Sequence, residues 1–282
     1  MRFSVWLSCL FGLAFIGCES RDVAEDSLPL EKQIHVPTRL ENELITDTVK
    51  MIAIKGGNFI PFFGNKDSSV VITNFLVDEH PVTNAQYLRF LRTRPRWKRS
   101  LVSKIYADGN YLIDWLNDST LSPGTSGDSP VTSVSWFAAN AYCKCVGKVL
   151  PTINQWEYVA AAGLSGADER EKDDYNKFIL NWYKSPTKYG APVKSTYKNY
   201  YGVWDVHGLI WEWTYDFNEV MISGESRKDS SNDPELFCGS GTIGASDLMD
   251  YAAFMRYAFR GSLKANYSIK TQGFRCAKET GK

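Results

Sequence analysis

The aromatic residues constrain this chain more than any other feature. Phe, Tyr and Trp make up 14% of its 282 residues, nine of them Trp, while apolar side chains hold a helical or strand period only briefly. Rings of that size bury a large area in one rigid unit, so they can fill a core that long regular elements do not build. The expected outcome is an irregular α+β domain of short strands and a few helices, not a βαβ array. Core filling also explains the tryptophans better than a sugar-stacking surface does.

The local patterns agree. Met51-Ile52-Ala53-Ile54 followed by Gly56-Gly57-Asn58-Phe59-Ile60 reads as strand, turn, strand, and Val70 to Thr73 and Phe75 to Val77 are further β-prone runs. Thr83-Asn84 caps a helix with Tyr87, Phe90 and Leu91 at helical spacing. Ser135 caps a second helix to about Val146, closed by Gly147, and Thr152 caps a third from Ile153 to Ala162, closed by Gly163. Residues 98–130 read as loop with short elements. Beyond Gly163 little helix is expected.

The amino-terminal residues are organised differently. Met1-Arg2, an apolar run from Phe3 to Ile16 and then Gly17-Cys18 read as a secretory signal, too short for a span that needs about 20 apolar residues. Ala14-Phe15-Ile16-Gly17-Cys18 resembles a bacterial lipobox, in which the cysteine takes lipid. The expectation is a signal peptide over 1–17, a polar tether over 18–49 and a folded domain over 50–280. Lipid on Cys18 would hold it to the cell envelope, at the periplasmic face or the outer membrane surface. The 32 basic and 32 acidic residues cancel, so no overall field draws nucleic acid. Cys143, Cys145, Cys238 and Cys276 remain after the tether; in an oxidising compartment they suggest one or two disulfides, with the pairing open.

Ser129-Pro130-Val131, Val134-Ser135-Trp136, Ala141-Tyr142-Cys143, Gly147-Lys148-Val149-Leu150-Pro151-Thr152 and Gln155-Trp156-Glu157-Tyr158 stand in one order with Trp211-Glu212-Trp213, Arg256-Tyr257-Ala258-Phe259-Arg260 and Gly273-Phe274-Arg275-Cys276. This ordered set resembles the formylglycine-generating enzyme family, also called the sulfatase-modifying factor domain. The resemblance implies a C-type-lectin-like α+β fold with little regular structure. It also implies a Cys143–Cys276 disulfide, leaving Cys145 and Cys238 as separate structural cysteines.

What the resemblance implies about chemistry is mixed. Members that generate formylglycine oxidise a sulfatase cysteine with oxygen, using copper(I) held by two cysteines five residues apart before the final Gly-Phe-Arg. Soft Cu(I) prefers thiolates, yet the interval from Gly239-Ser240-Gly241 to Gly273-Phe274-Arg275 contains no cysteine. Asp250 and Met255 have the spacing of the missing pair, and with Arg256 and Tyr257 they are the candidate groove residues. Copper-type formylglycine generation is therefore rejected. Iron stays open, with His80 and His207 as the only histidines of the domain, each more readily structural. Calcium is implied through Asn181 and Glu212, although Leu209 replaces an Asn ligand of relatives. Arg260 and Arg275 are expected as structural anchors, and Arg256 is balanced between anchor and substrate contact. The reading that results is a lipoprotein whose domain binds a protein or peptide partner. The alternative is a redox or metal-dependent maturation enzyme or accessory factor, as in relatives that mature siderophores or accompany copper nitrite reductases. Formylglycine generation ranks third.

Overall fold

Strand β1 (Met51–Ile54) does not pair with β2 (Gly57–Phe59), which follows it; it lies antiparallel to β4 (Phe75–Asp78), whose other edge takes β9 (Ala277–Glu279). The first and last strands of the domain thus flank one central strand. The buried faces of Ile54, Phe75, Val77 and Ala277 pack with Trp156, Val159 and Val203. β2 forms a hairpin with β3 (Val70–Ile72), β5 (Trp115–Asn117) pairs with β6 (Thr120–Leu121), and β7 (Trp211–Glu212) lies parallel to β8 (Gln272–Gly273). A side chain at Gly273 would put its Cβ 2.2 Å from the Val131 carbonyl oxygen, so only glycine lets these segments approach. The computed structural model describes residues 49–62, 69–184, 190–219 and 248–280. The leader, Cys18, the tether to residue 48, Cys238 and Gly239-Ser240-Gly241 lie outside the described residues.

The three capped helices form where the sequence places them. α1 (Asn84–Thr93) and α3 (Ile153–Ala160) open with reciprocal capping boxes, Thr83 with Gln86 and Thr152 with Gln155, and α2 (Trp136–Cys145) is capped by Ser135. Each box satisfies two N–H groups that a bare helix start leaves open. The aromatic core is as anticipated: Tyr87 stacks on Tyr142, Phe274 meets Tyr142 edge-on, and Trp115 and Trp213 are buried in the same cluster. The Tyr87 and Tyr111 hydroxyls bond at 2.6 Å, and Tyr111 donates on to the Trp97 carbonyl, so no buried hydroxyl of this pair is left over.

The expectation of little helix after Gly163 is corrected. α4 (Asp173–Lys184) has 12 residues and α5 (Leu248–Gly261) has 14. Tyr175, Ile179 and Leu180 of α4 bury against Ala252 of α5, so each helix exists because the other covers its apolar face. Among the described residues no helix is long and apolar enough to cross a membrane. Cys143 and Cys276 form a disulfide with Cα atoms 5.7 Å apart. It closes a loop across a sequence separation of 133, for which loop-entropy models give about 4 to 5 kcal/mol.

Candidate functional site

The motif residues converge on two arginine–glutamate clamps joined by Trp156. In the first, Glu157 of α3 faces α5. Arg256 Nε lies 3.1 Å from both carboxylate oxygens and Nη2 lies 2.7 Å from Oε2, while Arg260 Nη1 donates to Oε1 at 2.6 Å. All three residues are buried. Burial opposes the charge on Glu157, but the two guanidiniums outweigh it and hold the carboxyl at about 2. Burial likewise opposes the charge of Arg256, and Glu157 overcomes it and raises its pKa. Arg260 also lies 4.6 Å from the Trp156 ring centroid, and Arg256 lies 5.9 Å from it, so the indole face helps carry the positive charge.

The second clamp uses the last motif. Glu212 of β7 accepts from Arg275 Nη2 at 2.7 Å through Oε1 and from Arg275 Nε at 2.8 Å through Oε2, and Oε2 also accepts from the Trp156 indole N–H at 2.8 Å. Arg275 completes its set on the Asp78 and Trp204 carbonyls. Asp78 in turn pairs with Lys148 at 2.5 Å and accepts from the Cys276 N–H. The glycine-lysine turn, the Trp-Glu-Trp strand and the disulfide cysteine are therefore tied into one buried network.

Met255 is partly buried on α5, Tyr257 is buried against Ile153, and Asp250 lies on α5 with only its backbone position described. Arg256 proves to be an anchor, like Arg260 and Arg275. His207 is buried with Nε2 2.9 Å from the Ala160 carbonyl and 3.0 Å from the Tyr175 hydroxyl. Since a carbonyl only accepts, Nε2 carries the proton. Burial, reinforced by Arg256, pushes His207 down to about 3, so the ring stays neutral. His80 bonds the Pro81 carbonyl instead, and among the described residues no group of three or more His, Cys, Asp or Glu is placed for a metal ion. Asn181 is exposed on α4, and both oxygens of Glu212 already face a guanidinium that would repel a cation. These two residues do not fit a calcium site. Cys145 is buried and outside the disulfide.

Glu157 carries no site signal of its own in the sequence, although it stands within Gln155-Trp156-Glu157-Tyr158. Its partners lie 99 and 103 residues away, beyond any local spacing signal. The space around the first clamp is small: the cavity between α3, α4 and α5, lined by Phe62, Glu157, Tyr175 and Arg256, holds about 30 Å³. One side-chain nitrogen there, Arg256 Nη1, is buried without a hydrogen-bond partner.

Comparison with known proteins places the chain in a family. Residues 37–280 match the Sulfatase-modifying factor enzyme 1-like domain. A serine/threonine-protein kinase, pkn1, of Chlamydia pneumoniae is 28% identical over 253 residues, 81% of this chain and 38% of that protein. The formylglycine-generating enzyme of Streptomyces coelicolor is 32% identical over 165 residues, 53% of this chain and 52% of that protein. The inactive C-alpha-formylglycine-generating enzyme 2 of Bos taurus is 25% identical over 215 residues, 59% of this chain and 70% of that protein. The chain thus spans well under two thirds of the length of the first two relatives. It belongs to the sulfatase-modifying factor enzyme 1-like family.

Proposed function

We propose that this member of the family is a lipid-anchored envelope protein that binds a protein or peptide partner and does not generate formylglycine. The observation that carries the reading is the lack of any cysteine from Gly239 through Arg275, where copper-dependent relatives place two. A carboxylate and a thioether, at Asp250 and Met255, do not replace two thiolates for a soft ion. The clamp on Glu157 supports the same reading, because it commits Arg256 and Arg260 of α5 to holding the framework. A relative named as inactive shows that the family accommodates members outside the formylglycine reaction. The binding surface of this reading is the face of α5 around the partly buried Met255, presented from the membrane by lipid on Cys18.

Two measurements test it together. The full chain is given copper(I), oxygen and a sulfatase peptide containing the target cysteine; the peptide mass should stay unchanged, and conversion to the aldehyde would overturn the reading. A photoreactive residue at Met255 should capture an envelope protein that the same group at Val71, 75% exposed on β3, does not. Equal capture from both positions would remove this face of α5 as the binding surface.

A further inference from the structure

The balanced net charge conceals a strongly one-sided segment. Seven Lys and Arg lie between Arg89 and Lys104, and no Asp or Glu occurs from Pro81 through Ala107. The segment runs from α1 through a 3-10 turn (Pro95–Trp97) into the turns that follow. It borders a groove of about 540 Å³. Phe90, Trp97, Tyr106 and Phe137 line this groove with Arg96 and Lys144. Both of those cations are exposed, and neither forms an ion pair with a described carboxylate. Asn140 also lines the groove, and its side-chain carbonyl oxygen is buried with no hydrogen-bond partner.

We infer that this groove binds an acidic polypeptide segment through one aromatic or branched aliphatic anchor. Three observations point to that occupant. The volume lies within the range of sites that enclose a ligand group. The cations answer negative charge on either side of an apolar anchor. The unpartnered Asn140 oxygen is an acceptor, which a peptide N–H satisfies and a phosphate or carboxylate oxygen does not. A flat bilayer is a poorer match: it would meet the exposed Leu101 and Tyr106, at 60% and 47%, but would leave Phe90 and Trp97, 1% and 6% exposed, and the Asn140 oxygen unreached. The groove shares no lining residue with the cavity beside α5, so the inference does not depend on the function proposed above.

The test uses the full chain and a labelled peptide in which Glu and Asp flank Trp and Leu. Competing probes are the same peptide with Lys for each acid, phosphatidylglycerol vesicles and a single-stranded oligonucleotide. The acidic peptide should bind with an affinity that falls as salt rises. Arg96→Glu with Lys144→Glu should weaken it about tenfold or more. Tyr106→Ala should weaken it at every salt concentration. Both sites are exposed, so unfolding curves of the variants should match the parent. Affinity unchanged by the charge reversals would overturn the inference. So would tighter binding of the vesicles or the oligonucleotide than of the acidic peptide, lost on the same reversals.

Discussion

At Glu212 one carboxylate meets one guanidinium, and each nitrogen of Arg275 has a partner. At Glu157 one carboxylate meets two guanidiniums, and Arg256 Nη1 has none. The residues are alike and the burial is alike, so the difference lies in charge balance. The Glu212 clamp joins strands and turns that the family motifs define, and its charges cancel. The Glu157 clamp fastens α5 and carries one surplus positive charge, offset in part by the Trp156 ring. Asp216 acts electrostatically on Arg260 as well, although burial opposes its charge and raises its pKa, so it offsets a further part of the surplus. A buried pair that cancels is a fastener, whereas a cluster with surplus charge has slack that substitution can reveal.

That contrast can be broken most forcefully at Arg275. Arg275→Met leaves Glu212 buried and uncompensated, and stability measured by urea unfolding should fall by about 3 to 5 kcal/mol. The next effect is on acid stability. His207 sits at about 3 in the folded protein against 6.5 as its ordinary value, so the unfolded chain binds the extra proton between those values. Its contribution is present above pH about 6.5 and is lost as pH falls toward 3. Glu157, lowered from 4.5 to about 2, adds a second loss that begins only near pH 4.5. His207→Gln should therefore make the stability curve shallower from pH 6.5 down to about 3, most plainly above 4.5, and keep the loss due to Glu157 below 4.5. An unchanged slope would show that His207 is not buried beside the clamp as described. The smallest effect belongs to Arg256→Met, which keeps the Arg260–Glu157 pair and removes the surplus charge. Stability should stay within about 1 kcal/mol of the parent, on the favourable side. A drop as large as that of Arg275→Met would make the two clamps equivalent.

Much of this frame is legible in the sequence. Thr83, Ser135 and Thr152 announce their helices because a cap is a local signal, read within four residues. The resemblance supplied the Cys143–Cys276 bridge, and the aromatic content with its short patterned runs pointed to the α+β class. α4 was missed although Asp173 and Asp174 open it and Tyr175, Ile179 and Tyr183 follow at helical spacing. Asn and aromatic residues between them gave it the look of a loop. α5 has Ala252, Ala253, Arg256, Tyr257 and Arg260 on one face, but two of these are charged and count as apolar periodicity only once Glu157 is known to face them. The clamps were illegible for the same reason: pairings across 63 to 103 residues leave no mark on spacing.

The sheet order β1-β4-β9 sets when this protein can finish folding. β4 receives β1 early, but its other edge waits for residues 277–279, which follow directly on Arg275 and Cys276. Synthesis delivers the amino end first, so the keystone of the arch is the last stone to arrive. Until then the emerging chain offers an unpaired strand edge and an unbridged thiol, a state open to capture by a holdase. A stop codon after Phe274 would spare every groove residue, yet it would take away the closing strand, the bridge and the balanced clamp in one cut.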